Sequence, residues 1–238
     1  FCTSTVTKEG VHMRTMDWPL MFLSESTIQV DFVRSGSLVY RSITWPGFVG
    51  IFTGMVPNGF SASVNFRVSE TTVLRLVTTM MIGSGWPVGY AIRHALETVT
   101  TYPEAVRFLA SVPLISNVYF TLCGNPGEGT VLTRTPGGSA EVRSIGENHD
   151  VLVQTNSDFS EYLDLKGSKS AEGVFMSHQR TSIILNAYKK GIKGVNGVNG
   201  VMAAYRKRPV DNEITLYGIR MEPSKDVFRW RVRGDDHL

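Results

Sequence analysis

Cys2 stands directly after Phe1. A cysteine reacts as its thiolate and is nucleophilic even at neutral pH. Cutting the Phe1–Cys2 bond would give Cys2 a free α-amine, whose pKa of about 8 lies near neutrality. That amine can act as general base for its own thiol, so one residue would supply nucleophile and base. The second cysteine, Cys123, ends the apolar run Val118-Tyr119-Phe120-Thr121-Leu122. It reads as a buried thiol at a strand end. Other chemistries lack their signatures. His12, His94, His149, His178 and His237 show no metal-ligand spacing, so no metal or other cofactor is expected. The chain carries neither a Gly-x-Ser-x-Gly elbow nor a dinucleotide fingerprint.

The elements that must position Cys2 are drawn from a chain of 238 residues, 42% hydrophobic and 19% charged. That composition is globular, and no internal boundary divides it, so residues 1–238 are expected to form a single catalytic domain. Lys and Arg number 24 against 21 Asp and Glu, a net charge of +3. The basic residues are scattered, apart from Arg206-Lys207-Arg208. No nucleic-acid partner is expected. No apolar run approaches the roughly 18 residues of a membrane-spanning helix.

Period-two alternation and turn residues predict strands over Thr3–Thr7, Val11–Met16, Thr27–Val33 and Leu38–Ile43. A further pair is expected over Phe48–Thr53 and Phe60–Phe66, around the turn Pro57-Asn58-Gly59. The middle turns helical. Val73, Leu74, Leu76 and Val77 suggest one helix. Val88, Ala91, Ile92, Ala95, Leu96 and Val99 trace the face of a second. Pro103 opens a third, over Glu104–Ser111. Strands resume at Ser116–Leu122, Thr130–Arg134, Ala140–Arg143 and Val151–Thr155. Leu165–Gly173 reads as a surface loop, Thr181–Lys190 as a helix, and Gly194–Gly200 as a glycine-rich loop. Ile214–Met221 and Val227–Val232 close the chain as a strand pair. Strands, helices and strands again point to an α+β class with two sheets and helices packed outside them.

The run Cys2-Thr3-Ser4-Thr5-Val6, followed by Arg14-Thr15-Met16-Asp17, resembles the opening of the catalytic chains of the N-acylethanolamine acid amidase and acid ceramidase family. Those chains begin Cys-Thr-Ser and continue to Arg-Asn-(Leu/Met)-Asp. Gly47-Phe48-Val49-Gly50-Ile51-Phe52-Thr53-Gly54 is similar to a second family motif, and Pro113-Leu114-Ile115-Ser116-Asn117-Val118-Tyr119 to a third. Thr155-Asn156 and Arg180-Thr181-Ser182 match later ones. Each motif alone is weak; five in order over Cys2 to about Arg231 are specific.

The resemblance implies a four-layer αββα sandwich, the N-terminal-nucleophile hydrolase fold. It implies autocatalytic cleavage between Phe1 and Cys2, Cys2 as nucleophile, and Arg14 and Asp17 as the charged pair beside it. Asn156 would supply an oxyanion donor from its side chain, Asn65 a second through its backbone N–H, and Arg180 a cation near the nucleophile. Trp18, Phe22, Trp45, Phe48, Phe52, Phe66 and Trp86 are candidates for an acyl-chain channel. The implied substrate is a lipid amide, either an N-acylethanolamine or a ceramide. The implied partner is an N-terminal α subunit cut from the same precursor, with contact to a membrane surface and a lysosomal or secreted location. Two departures stand out. Phe66 occupies a position where the lipid amidases carry Glu, which brings Asn65-Phe66 closer to bile-salt hydrolases and penicillin V acylases. The stretch from Asn156 to Arg180 is also longer. An acylase of that second kind, or an inactive lipid-binding relative, is the alternative. Intact Cys2, Arg14, Asp17, Asn156 and Arg180 argue against the inactive relative.

Overall fold

The computed structural model describes residues 2–67, 85–136, 138–164, 174–191 and 196–232. Phe1, the helix expected around Val73–Val77 and the loop Leu165–Gly173 lie outside the described residues.

Two antiparallel sheets face each other. The five-stranded sheet contains β1 (Cys2–Thr7), β2 (His12–Asp17), β10 (Val151–Gln154), β11 (Thr215–Glu222) and β12 (Val227–Val232). Its order is β10-β1-β2-β11-β12. The seven-stranded sheet runs in chain order: β3 (Ile28–Arg34), β4 (Ser37–Thr44), β5 (Thr53–Met55), β6 (Ser61–Phe66), β7 (Val118–Cys123), β8 (Gly129–Thr135) and β9 (Gly138–Ser144). Among the described residues, five α-helices of at least six residues accompany them: α2 (Val88–Thr98), α3 (Tyr102–Ser111), α4 (Phe159–Asp164), α5 (Ser177–Lys190) and α6 (Gly197–Ala204). A single turn, α1 (Phe22–Glu25), precedes β3.

Side-chain alternation sorts the strands into layers. Ala62 and Val64 of β6 join Phe120, Leu122 and Leu132 against Ala91, Ile92, Ala95 and Leu96 of α2 and Leu109 of α3. On the far side, Met13, Val151 and Val153 pack against Ile184 and Ala187 of α5 and Val201 and Ala204 of α6. Helix, sheet, sheet and helix thus form the expected four-layer α+β sandwich. The space between the sheets is apolar at one end, around Met16, Ile43, Met55, Tyr217 and Ile219. Elsewhere it is polar. His12 is fully buried, its ring nitrogens 2.9 Å from Ser61 Oγ and 3.0 Å from Ser63 Oγ.

Two segments depart from the sequence reading. Phe48–Thr53 was expected as a strand, but regular pairing begins only at Thr53. Gly47 adopts φ of +82°, the Phe48 N–H returns to the Trp45 carbonyl, and the Ile51 N–H bonds the Gly89 carbonyl at 2.9 Å. The segment therefore docks onto the start of α2, and only its end, at the Phe52 carbonyl, bonds β6. Within the expected loop Gly194–Gly200, residues from Gly197 onward form the first turn of α6. Val201 and Ala204 are fully buried against α5, and that packing outweighs the poor helix propensity of two glycines.

Candidate active site

Cys2, Arg14 and Asp17 all belong to the β1–β2 hairpin, whose register pairs Cys2 with Met16 and Ser4 with Arg14. Cys2 opens β1 and is almost wholly buried. Its Sγ lies 3.2 Å from Arg14 Nη2 and 3.6 Å from Met16 Sδ. Arg14 points between the sheets because it shares the parity of His12 and Met16 along β2. Its guanidinium is anchored on the carbonyls of Phe52 and Val64, each at 2.7 Å, and on the Thr53 hydroxyl. Burial pushes the Cys2 thiol up, and opposing influences led by the charge of Arg14 leave it below its ordinary value. Cys123, by contrast, has only burial and two carboxylates nearby, and its thiol is pushed up.

Asp17 ends β2. Thr215 Oγ1 donates to its Oδ1 at 2.7 Å and Asn212 Nδ2 to its Oδ2 at 3.3 Å, while Arg180 Nη1 stands 3.8 Å away. Burial raises the Asp17 carboxyl, with Arg180 and the Thr215 bond opposing it. Arg180 lies in the first turn of α5 and meets the start of β1 and the end of β2 from the helix side. It donates to the Cys2 carbonyl at 2.8 Å, to Thr3 Oγ1 at 2.8 Å and to Asn156 Oδ1 at 2.9 Å.

Asn156 follows β10. Its Oδ1 also accepts the Cys2 N–H at 2.9 Å, and its Nδ2 donates to the Phe66 carbonyl at 2.8 Å. An amide nitrogen carries two hydrogens, so a second donor remains at that atom.

Asn65 needs a correction. The Val64 N–H bonds the Phe52 carbonyl, the Val64 carbonyl takes Arg14, and the Phe66 carbonyl takes Asn156. Peptide groups alternate in direction along a strand, so those of Asn65 turn toward β7, where it pairs with Tyr119. By the same alternation the Phe66 N–H shares the side of the Val64 and Phe66 carbonyls, which hold Arg14 and Asn156. The Asn65 side chain instead ties the sheets together: its Nδ2 lies 2.9 Å from the Gln154 carbonyl and 3.3 Å from that of Cys2, and Ser4 donates to its Oδ1.

Over Cys2 opens a cavity of about 440 Å³, lined among others by Met16, Trp18, Phe52, Val64, Phe66 and Val118. The size suits a small ligand or an acyl chain. Trp18, Phe52 and Phe66 line it as expected. Trp45 and Phe48 do not. Trp45 is buried behind the wall, edge-on to Trp18 at 6.0 Å with its indole N–H on Thr27, and Phe48 packs behind Phe52 at 4.7 Å. Phe22 projects toward solvent, and Trp86 packs on His94 and Phe108. Residues the sequence did not single out include Tyr217, whose hydroxyl meets Thr53 Oγ1 at 2.8 Å beside Arg14, and Met16. Nothing distinguishes them from other alternating residues of their strands.

Residues 8–230 match the family described as acyl-coenzyme A:6-aminopenicillanic acid acyl-transferase. The chain belongs to this family. An N-acylethanolamine-hydrolyzing acid amidase from Cavia porcellus is 28% identical, over 98% of this chain and 65% of its own length. An acid ceramidase from Heterocephalus glaber is 32% identical, over 98% of this chain and 62% of its own length. The chain thus spans a little under two thirds of these curated relatives. The structure of a Caenorhabditis elegans N-acylethanolamine-hydrolyzing acid amidase ortholog superposes with a TM-score of 0.80 at 28% identity, covering 97% of this chain and 99% of that one. The fold is that of an N-terminal-nucleophile hydrolase. No helix among the described residues is long and apolar enough to cross a membrane.

Proposed function

We propose that this chain is the catalytic part of a cysteine amidohydrolase that cleaves the amide bond of a lipid amide, an N-acylethanolamine or a ceramide. One observation carries the reading: the Cys2 sulfur sits 3.2 Å from a buried guanidinium at the floor of an apolar cavity of about 440 Å³. The guanidinium favours the thiolate, and the cavity suits an acyl chain.

Autocleavage before Cys2 would free its α-amine beside Asn156 and Asp17. The amine takes the thiol proton, and the thiolate attacks the substrate carbonyl. The negative charge on the carbonyl oxygen rests on the second hydrogen of Asn156 Nδ2 and on the Phe66 N–H. The amine then protonates the leaving nitrogen as the C–N bond breaks, giving a Cys2 thioester and a free amine. Water adds to the thioester, the α-amine takes its proton, and fatty acid and free thiol result. An N-terminal α subunit, contact with a membrane surface and a lysosomal or secreted location complete the proposal, supported by family resemblance.

The test uses the full-length precursor, incubated at acidic and neutral pH with an N-acylethanolamine, a ceramide, a conjugated bile acid and phenoxymethylpenicillin. Intact mass and released acid are followed together, with Cys2→Ala as control. A new chain starting at Cys2, with lipid amides turned over fastest, supports the reading. Faster turnover of the bile acid or penicillin moves the enzyme to the acylase alternative, and hydrolysis that survives in Cys2→Ala overturns the mechanism.

A further inference from the structure

Arg67 and Asp158 take no part in the chemistry above, yet they bracket it. Arg67 directly follows Phe66 at the end of β6, and Asp158 lies two residues beyond Asn156 in the loop after β10. They therefore stand on different sheets, one beside each proposed oxyanion donor. The guanidinium grips the carboxylate with two bonds, Nε to Oδ1 at 2.8 Å and Nη2 to Oδ2 at 2.6 Å. Tyr119, from β7, donates its hydroxyl to the same Oδ1 at 2.6 Å. The two charged side chains are largely covered, with 17% and 25% of their surface exposed.

The Asp158 loop is also fastened on its own sheet. Gln154 Nε2 donates to the Ser157 carbonyl at 3.0 Å and the Asn156 N–H reaches Ser177 Oγ at 3.1 Å, while from the other sheet the Arg143 guanidinium of β9 lies 4.3 Å from the centre of the Phe159 ring. Across the gap to β6, the Asn156–Phe66 bond is the neighbouring link.

We propose that the Arg67–Asp158 pair is a positioning clasp that sets the spacing and angle between the Asn156 amide and the Phe66 N–H. A two-pronged guanidinium–carboxylate contact fixes direction as well as distance, which a single charge cannot do. Tyr119 prevents the carboxylate from rotating within that grip. Burial pushes the Asp158 carboxyl up, and its hydrogen bonds from Arg67 and Tyr119 overcome that push and hold it below the ordinary range. The clasp is therefore ionised through weak acid. Donors aimed at a developing oxyanion work only when held in place before the reaction, so their spacing is where a remote ion pair can act on rate.

The inference rests on Asn156 and Phe66 being the oxyanion donors. The experiment compares Arg67→Gln, Arg67→Lys, the nearly isosteric Asp158→Asn and the double variant Arg67→Gln/Asp158→Asn in the mature enzyme. Amide hydrolysis is measured alongside alkylation of Cys2 by iodoacetamide, which needs the thiolate but no oxyanion donor. Arg67→Gln and Asp158→Asn are expected to lower kcat about 10- to 100-fold. KM and the alkylation rate should stay within about twofold of wild type. Arg67→Lys should fall between, and the double variant should be no worse than the poorer single one. Wild-type kcat in Asp158→Asn overturns the clasp. So does a parallel fall of kcat, alkylation and melting temperature in both single variants, which marks a structural brace only. If instead Asn156→Ala keeps full kcat, the oxyanion assignment itself fails and the clasp fails with it.

Discussion

Arg14 Nη2 and the Cys2 sulfur lie 3.2 Å apart on adjacent strands of one hairpin, and the same guanidinium nitrogen also holds the Val64 carbonyl. Thiol activation and the joining of the two sheets are thus performed by one side chain. Arg14→Gln should separate these roles. With the cation gone, burial and Asp17 push the Cys2 thiol up against less opposition, and the midpoint of Cys2 alkylation against pH should move upward. Activity at neutral pH should fall about 100-fold or more. The melting temperature should fall too, since leaving the Val64 carbonyl without its guanidinium costs about 1–3 kcal/mol. A pH series of alkylation rates, with thermal unfolding in parallel, measures both effects.

Phe66 joins two functions in one residue. Strand alternation turns its N–H to the side where the Val64 carbonyl holds Arg14, while the residue lines the cavity and is 58% exposed. Phe66→Ala keeps the first and removes the second. KM for a long-chain amide should rise about 10-fold, in line with losing roughly half of a phenylalanine's burial energy. The kcat, and the KM for a short-chain amide, should change little. Steady-state kinetics on a chain-length series reads the split.

His12 makes acid costly. Burial, helped by the nearby Arg14, holds its imidazole at about 3, against an ordinary value of 6.5. A base depressed in the folded state binds fewer protons there than in the unfolded chain. Stability is therefore intact above about pH 6.5 and declines as pH falls toward 3, by about 2–3 kcal/mol at pH 4.5. His12→Gln should flatten that decline, whatever its effect at pH 7. Urea unfolding between pH 4 and 8 gives the slope for each protein, and equal slopes would refute the assignment.

Gly54 in β5 sits under helix α2, where an added Cβ would lie 2.5 Å from Leu96 Cδ1 and 3.0 Å from the Arg41 carbonyl oxygen. The side-chain methyl can shift, but the backbone oxygen cannot easily do so. Gly54→Ala should cost about 1–3 kcal/mol through overpacking. It should leave the pH dependence of Cys2 alkylation unaltered. Chemical denaturation of the two proteins checks the cost.

The hairpin that carries Cys2, Arg14 and Asp17 was legible in the sequence because strand alternation and a run of matching motifs agree there. The α2 face was legible for a similar reason: Ala91, Ile92, Ala95 and Leu96 repeat at helical spacing and are all buried. Helix α6 was not. Gly197-Val198-Asn199-Gly200 has the local chemistry of a turn, and only its packing on Ile184 and Ala187 makes it helical. Asn65 stands beside Cys2, but its role depends on which way a peptide group turns within β6, a matter of one-residue parity that no motif encodes. The Arg67–Asp158 pair joins residues 91 apart in sequence, with no periodicity linking them.

Chain ends ordinarily fray, because their last residues have bonds on one side at most. Strand β1 lies between β2 and β10, and the Cys2 carbonyl is already gripped by Arg180 and Asn65 while its N–H is held by Asn156. A cut before Cys2 would therefore create a terminus at the head of an inner strand, already tied down by its neighbours. The new amine would be born in place, with no search through conformations between maturation and the first turnover.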